Sequence, residues 1–346
     1  MKEQMLASLQ LSLRDPVFLR KLLHTNKKSP VFPKEFPEIQ WQIIPPYYPV
    51  LIPRCSFKLL TPYGNYLLKL NADTGCIRRE AGANNILSDK HVNALTVPNL
   101  IDSETSLPLP ENESCGWLLR EWVEAKQVSG LDEHLLINLF AKGLIHLHTM
   151  PISAEDVQTI FALELPEKPV VLEYLKRRRN SYFDDLIEVS SASFSSLVST
   201  IKADVENHDF SSHVALIHGD LHLDNIRYLE NVAKHEIRLL WVDWEDVTLE
   251  HPLSDLANFM LYEKFSITSF RYMNTYIKLF NKRKVTNDRL SATDAWFLAY
   301  TWLVRVFCWK LQMAPSGEHD TIEDEAIILI KKIQEAIKEY GELNAF

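Results

Sequence analysis

Glycine is scarce in this chain, with nine residues in 346 and none before Gly64. The N-terminal part therefore lacks a glycine-rich turn, because other residues adopt positive φ only at a cost and keep the backbone further from a bound group. Cysteine is scarce as well. Cys55, Cys76, Cys115 and Cys308 are widely separated, a distribution that fits neither a disulfide framework nor a zinc cluster.

Positive charge is not in excess, since 37 Lys and Arg face 46 Asp and Glu, for a net charge of −9 at pH 7. Binding to a phosphate backbone requires a basic face, so no nucleic-acid partner is expected. Long apolar runs are missing too: Ala295 to Leu311 is interrupted by Arg305 and Lys310 and falls short of the roughly 20 residues that span a bilayer. Residues 1–24 show no signal-peptide pattern. We expect a soluble, cytoplasmic protein without membrane insertion.

The order of strand-like and helix-like segments predicts an α+β fold. Residues 56–60 and 66–70 flank a Thr-Pro-Tyr-Gly-Asn turn and predict a β-hairpin, and Trp117 to Val123 predicts another strand. Helical patterns dominate from Leu131 onward. The predicted organisation is bilobal: an N-terminal lobe over residues 1–120, with N-terminal helices and an antiparallel sheet, and a larger, mainly helical C-terminal lobe over residues 121–346.

Two helix starts are predicted from capping signals. The helix that carries the leucine stripe from Leu131 to Leu147 follows Ser129, a good N-cap residue. The last helix is preceded by Asp320-x-x-Glu323, which has the spacing of a capping box, and Gly341 is expected to end it.

The segment from Leu216 to Tyr228 carries the most informative pattern. An apolar strand leads to His218-Gly-Asp220, and Asn225 lies five residues after that aspartate. Two further strands are predicted over residues 226–229 and 237–242, and the second ends just before Asp243. The spacing His-x-Asp-x-x-x-x-Asn is that of a kinase catalytic loop. It predicts Asp220 as catalytic base and Asn225 and Asp243 as Mg²⁺ ligands in an ATP-dependent phosphoryl transfer, because Mg²⁺ takes few protein oxygens and leaves the rest to phosphate and water.

A lysine and a glutamate upstream support this prediction. Lys69 lies near the end of a strand, and Glu80 follows in the next helix. In kinases a strand lysine contacts the α- and β-phosphates and is held by a helix glutamate. At about 4 Å and an effective dielectric near 20, such a pair interacts by roughly 4 kcal/mol before desolvation. We predict that both residues belong to the nucleotide site.

Taken together, these motifs resemble those of the aminoglycoside phosphotransferase/choline kinase superfamily, the protein-kinase-like kinases of small molecules. The matching stretches span residues 56 to 260 in the family's order. They are Lys69, Arg79-Glu80, Arg120-Glu-Trp-Val123, Leu144-Ile-His-Leu-His148, His218-Gly-Asp-Leu-His-Leu-Asp-Asn225, Val242-Asp-Trp-Glu245 and Pro252-Leu-Ser-Asp255-Leu-Ala.

The resemblance implies a bilobal kinase fold with ATP between the lobes. It implies that Glu121 to Val123 form the hinge that presents backbone groups to adenine, and that Asp255 is structural and braces the catalytic loop. His218 is also expected to be structural. One departure is the glycine-free stretch Pro49 to Ser56, where the family has a glycine-containing phosphate loop; Arg54 or Ser56 are candidates to replace its amides.

The expected acceptor is a small, possibly cationic molecule with a hydroxyl group, of the choline, thiamine or aminoglycoside type. Glu245 and Trp302 are candidate acceptor-binding residues, since a cationic acceptor suits a carboxylate and an aromatic face. Two alternatives stay open. The missing glycines fit a nucleotide-binding pseudokinase with a regulatory role, and His218, Asp220, His222 and Asp224 could form a metal-hydrolase cluster. Acceptor identity, ATP against GTP and the oligomeric state are not determined by the sequence.

Overall fold

A computed structural model describes residues 40–44, 54–61, 64–89, 95–108, 114–162, 168–231, 236–283 and 289–343. The predicted N-terminal helices and most of the glycine-free stretch lie outside these residues. The chain divides into two compact units. The first comprises residues 1–126, 153–164 and 228–246, and the second comprises residues 127–152, 165–227 and 247–346. The predicted division into residues 1–120 and 121–346 stays a prediction.

The strands, in chain order, are β1 Gln40–Ile44, β2 Arg54–Thr61, β3 Gly64–Asn71, β4 Leu95–Thr96, β5 Leu100–Pro108, β6 Ser114–Glu121, β7 Lys126–Gln127, β8 Ala215–Ile217, β9 Ile226–Asn231, β10 Glu236–Trp241 and β11 Thr248–Glu250. The helices are α1 Thr74–Asp89, α2 Glu133–Thr149, α3 Ala154–Phe161, α4 Lys168–Val189, α5 Ala192–Asn207, α6 Leu253–Tyr262, α7 Ile267–Arg283, α8 Ala292–Met313 and α9 His319–Leu343.

The first unit is built on an antiparallel five-stranded sheet in the order β1-β2-β3-β6-β5. Its central strand β3 is buried from Tyr66 to Asn71, because it has a neighbour on each edge and α1 contacts the sheet. In register, Lys69 lies opposite Ser56 of β2 and Leu118 of β6. The pairing of β3 with a strand on each side therefore fixes the position of Lys69.

A second, four-stranded sheet has the order β4-β10-β9-β7, with β10 parallel to β4. The predicted strand pair after the catalytic loop corresponds to β9 and β10. Beyond β10, Trp241 and Trp244 are fully buried and stacked at 6.3 Å. Helix α1 packs against this turn and against α3. The chain around Asp243 is thereby fixed within the first unit.

The second unit is mainly helical. Helix α8 contacts α6, α4 and α9, and α2 contacts α7. Its core is aromatic, with Phe140, Phe259 and Tyr272 in mutual ring contact at 4.8 to 4.9 Å. The short antiparallel pair β8–β11 lies beside α2. The predicted α+β class is confirmed, with a small antiparallel sheet in the N-terminal part and helices in the C-terminal part.

Both predicted caps are wrong. The cap of α2 is Asp132, whose side chain accepts a hydrogen bond from Leu135 N, while Ser129 lies in a preceding 3₁₀ turn. Asp320 is already inside α9. The carboxylate of Glu323 instead accepts hydrogen bonds from the backbone N–H and hydroxyl of Ser191, at 2.7 and 2.5 Å, so it supports the start of α5 and not its own helix. Helix α9 also continues past Gly341.

Among the described helices, none is by itself long and apolar enough to cross a membrane. Only α2 and α3, taken together across the bend between them, reach that length and composition.

Candidate active site

Lys69 lies at the centre of an acidic cluster in the first unit. Its ammonium is 2.7 Å from Glu80 Oε2, 2.6 Å from Asp243 Oδ1 and 2.9 Å from Glu245 Oε2. Lys69 is 6% exposed and Glu80 is fully buried. The sequence predicted the pairing of Lys69 with Glu80 and did not predict the second and third carboxylates. Their signal was the two-residue spacing of Asp243 and Glu245, which places both side chains at one turn.

Burial and charge act against each other on these groups. Burial lowers the pKa of Lys69, but the three carboxylates outweigh it and hold that pKa well above its usual value. Burial raises the pKa of Asp243, whereas the charge and hydrogen bond of Lys69 lower it well below the ordinary range. Burial raises the pKa of Glu245, and the positive charge of Lys69 lowers it. The charges of Asp243 and Glu80 raise it as well, so the pKa of Glu245 lies above its usual value.

Three arginines complete the cluster. Arg54 Nη1 donates to Glu245 Oε1 at 2.6 Å, and Arg120 Nη2 lies 3.8 Å from Glu80 Oε1. Arg79 Nε donates to the backbone oxygen of Glu245 at 2.6 Å. Both carboxylate oxygens of Glu245 are therefore close to cations. This disfavours the predicted acceptor-binding role of Glu245 and places the residue beside Lys69 instead.

The backbone at Asp243 has φ of 66°, a left-handed conformation that is unusual for a residue other than glycine. Such conformations cost free energy and persist only where the surroundings hold them. Here the ion pair with Lys69 and the buried Trp244 beside it supply that support. The cost is thus consistent with a residue whose side-chain direction matters for function.

Within the second unit, the predicted catalytic loop, residues 218–225, begins where β8 ends. Gly219 has φ of 83°, a value that suits glycine. The buried carboxylate of Asp255 accepts hydrogen bonds from the backbone N–H groups of His218 and Gly219, each at 2.9 Å. Asp255 Oδ2 also lies 3.1 Å from His148 Nε2, and His148 Nδ1 is 2.7 Å from the Tyr276 hydroxyl. The loop backbone is therefore held by α6, which is in turn held by α2 and α7.

The side chain of Asp220 is 30% exposed, so a substrate can reach it. Tyr262 donates its hydroxyl proton to Asp220 Oδ1 at 3.2 Å, and Asn225 Nδ2 donates to the backbone oxygen of Asp220 at 2.9 Å. The Asn225 amide oxygen is thereby left as the atom able to ligate a cation. His222 Nε2 is 3.6 Å from Asp220 Oδ2, and its ring lies 4.6 Å from that of Tyr262. No sequence signal pointed to Tyr262.

The remaining predicted residues are placed as follows. Glu121 N donates to Asn99 O at 3.0 Å and Trp122 N donates to Asn65 O at 2.9 Å. Both N–H groups are therefore already paired at the end of β6, just before Val123. The adenine contacts of Glu121 and Val123 stay a prediction. Trp302 is 8% exposed, and the Arg305 guanidinium lies 4.7 Å from its ring centre. That contact disfavours Trp302 as a site for a cationic acceptor.

The proposed hydrolase cluster of His218, Asp220, His222 and Asp224 is not favoured either. His218 is fully buried. Among the described residues, only the ligand atoms of Glu80, Asp243 and Glu245 form a group within 4.8 Å of one another that could hold a metal ion.

The sequence profile of the phosphotransferase enzyme family matches residues 56–276, which is more than half of the chain. None of the curated protein sequences is significantly similar to this chain.

Solved structures share the fold. A protein from Ralstonia eutropha, assigned as an aminoglycoside phosphotransferase, superposes with a TM-score of 0.63 at 15% identity over 92% of this chain and 98% of its own. Aminoglycoside phosphotransferase APH(4)-Ia gives 0.60 at 12% identity over 93% and 98%. An ethanolamine kinase from Plasmodium vivax gives 0.53 at 14% identity over 92% and 86%. The kinase-like fold and the resemblance stated from the motifs are confirmed, and the chain belongs to the phosphotransferase enzyme family.

Proposed function

We propose that this phosphotransferase moves the γ-phosphate of ATP, in the presence of Mg²⁺, to the hydroxyl group of a small, positively charged acceptor. The observation that carries the proposal is that the Asp220 side chain is accessible while its backbone is held in place. Its carboxylate is exposed to a substrate, while the backbone on which it sits is held by the buried carboxylate of Asp255. A general base needs this combination of access and fixed position.

In the proposed reaction the Asp220 carboxylate accepts the proton of the acceptor hydroxyl. The freed oxygen forms a bond to the γ-phosphorus, the bond from that phosphorus to the β–γ bridging oxygen breaks, and ADP leaves with the electron pair. The Lys69 ammonium, whose pKa is held well above its usual value, stays charged throughout and binds the phosphates. Glu80 positions that ammonium at 2.7 Å.

The residues around Lys69 fit a magnesium ion by their chemistry. They are hard oxygen donors, which Mg²⁺ prefers, and the side chain of Asp243 is 37% exposed, against 13% for Glu245 and none for Glu80. Asp243 is therefore the carboxylate best able to leave Lys69 for a cation, with the Asn225 oxygen as the second proposed ligand. When bound, the ion neutralises phosphate charge.

The surroundings of Asp220 support a cationic acceptor. Asp224 is exposed. Burial raises the pKa of Glu263, and the nearby negative charge of Asp224 raises it further. The exposed ring of Tyr262 lies on the same side. Amines are also recurrent among related structures, which include an ethanolamine kinase, APH(4)-Ia with ADP and hygromycin B, and a phosphotransferase with GDP and kanamycin. Carboxylates and an aromatic face attract ammonium groups.

The test is an ADP-release screen with Mg²⁺ and ATP over amino alcohols, aminoglycosides and uncharged alcohols, with mass spectrometry of the phosphorylated product. We expect turnover with cationic acceptors only. Asp220→Asn should lower kcat by roughly a hundredfold or more, because a general base contributes about 10²–10⁴. Asp324→Asn, an exposed aspartate on α9, is the matched control.

A regulatory pseudokinase makes the opposite prediction. It would bind ADP without Mg²⁺, seen as a thermal shift, and would release no ADP with any acceptor. Turnover that is unchanged in Asp220→Asn would refute the assigned base while leaving the enzyme class intact.

Tyr262 offers a second test of the same site. Tyr262→Phe removes the hydroxyl that donates to Asp220 Oδ1 at 3.2 Å and keeps the ring. A bond to a charged group is worth about 1.5–3 kcal/mol when buried and less when exposed. We expect kcat to change within roughly tenfold and its acidic pH limit to move upward, because the carboxylate loses a donor that favours its charged form. An unchanged pH profile would contradict the contact.

A further inference from the structure

A cavity of about 340 Å³ lies in the second unit, at the end of β8 that is opposite the catalytic loop. Its walls come from α4, the end of α5, the connection from His208 to His213, and His251. Small-molecule sites typically have volumes of ~300–1,000 Å³. The cavity is large enough for a compact ligand, and none of the residues proposed for catalysis lines it.

Arg179 is a buried cation with unused donors at this cavity. The residue is 8% exposed, and its Nη2 donates to Glu250 Oε1 at 2.7 Å. Among the described residues, no hydrogen-bond partner exists for its buried Nε or for Nη1. Unsatisfied donors on a buried charge are costly, so a bound acceptor would be favourable there.

A serine supplies a further donor. His251 Nδ1 accepts a hydrogen bond from Leu253 N at 3.2 Å, so in the neutral ring the proton resides on Nε2. Burial and nearby cationic groups hold the pKa of His251 well below its usual value, which keeps the ring neutral. The Nε2–H group therefore donates to Ser211 Oγ at 2.8 Å. The Ser211 hydroxyl proton is then free to donate into the cavity.

The charged groups at the mouth are of both signs. Lys176, one turn before Arg179 on α4, is exposed and has no ion pair among the described residues. Glu206 and Asp209 are exposed on the other side. These two carboxylates disfavour a ligand of high negative charge. Phe210, whose ring lies 4.5 Å from the Arg179 guanidinium, provides an apolar wall.

We propose that this cavity is a second ligand site, which binds a small organic oxyanion, a carboxylate or a phosphate monoester, through Lys176, Arg179 and Ser211. All three residues present donors, and an oxyanion presents only acceptors. A ring on the ligand would pack against Phe210. A metal ion does not fit, since no group of ligand atoms in the described part of this cavity converges as those around Lys69 do.

The test is calorimetric titration of the nucleotide-free full chain with benzoate, phenyl phosphate and inorganic phosphate. We expect benzoate or phenyl phosphate to bind more tightly than inorganic phosphate, and comparison of the first two separates the carboxylate from the phosphate source. Lys176→Gln should weaken binding about tenfold, since a hydrogen bond to a charged group is worth ~1.5–3 kcal/mol and 1.4 kcal/mol is tenfold. Ser211→Ala should weaken it by roughly threefold to tenfold.

Arg177→Gln is the matched control. It removes the same charge from the same helix, but Arg177 is exposed, pairs with Glu173 at 3.0 Å and does not line the cavity. Lys176 is also exposed, so both variants should fold. The proposal is overturned if none of the three probes binds, if Lys176→Gln binds as the wild type does, or if the two variants weaken binding equally.

Discussion

Replacing Asp255 by asparagine tests how the catalytic loop is held. Asp255 Oδ1 accepts from Gly219 N, and Oδ2 accepts from His218 N and faces His148 Nε2. An asparagine that keeps its oxygen at the Oδ2 position turns an NH₂ group toward the Gly219 N–H group, 2.9 Å away. Two donors then oppose each other in a fully buried place, and the remaining bonds lose the help of a charge.

The expected loss follows from these contacts. A buried hydrogen bond to a charged group contributes about 1.5–3 kcal/mol, and removing one partner of a buried charged network costs about 3–5 kcal/mol. We therefore expect Asp255→Asn to lose ~3–5 kcal/mol of unfolding free energy. Because the chain has two units, a single unfolding transition is not assured. Hydrogen exchange of the peptide that covers residues 215–225 is the sharper assay, and it should become faster.

The control for this experiment is Asp324→Asn, at an exposed position of α9. It should change the unfolding free energy by less than ~0.5 kcal/mol. If Asp255→Asn leaves both stability and exchange of residues 215–225 as they are in the wild type, Asp255 does not hold the loop and the reasoning fails.

The remaining predictions concern the first unit. Glu80→Gln keeps the shape of the side chain and removes one of the charges around Lys69. In steady-state kinetics the KM for the nucleotide should rise roughly tenfold, which corresponds to about 1.4 kcal/mol of binding free energy. An unchanged KM would show that Glu80 does not position Lys69. Gly116→Ala would place a Cβ 2.9 Å from the buried Ile77 side chain. Thermal unfolding should show a loss of about 1–3 kcal/mol, whereas Gly317→Ala, which meets nothing within 4 Å, should be nearly neutral; equal effects would contradict the predicted clash.

Local patterns predicted the strands well. The hairpin expected over residues 56–60 and 66–70 is β2 and β3, and the strands expected after the catalytic loop are β9 and β10. Alternation and turn residues specify such elements because their contacts are close in sequence. The pairing of Lys69 with Glu80 was predictable for the same reason, since eleven residues separate a strand from the next helix.

Contacts between distant segments were not predictable. The role of Glu245 depends on Arg54, which is 191 residues away. Glu323 lies at the spacing of a capping box, yet its carboxylate accepts a hydrogen bond from the Ser191 hydroxyl. Tertiary packing therefore overrides the local sequence signal. Tyr262 reaches Asp220 only because α6 ends beside the catalytic loop. A single sequence carries no periodicity or spacing that predicts such long-range contacts.

The ring of charges around Lys69 has a consequence for the order of events. The three carboxylates of Glu80, Asp243 and Glu245 are ion-paired with three cations, those of Lys69, Arg54 and Arg120, so the formal charges of these pairs sum to zero before any ligand arrives. Arg79, which donates to the backbone oxygen of Glu245, adds one positive charge. A nucleoside triphosphate entering alone would leave this balance strongly negative. Under the proposed function, a nucleotide already complexed with a divalent ion disturbs this balance least, so we expect the complex and not the bare triphosphate to enter the site.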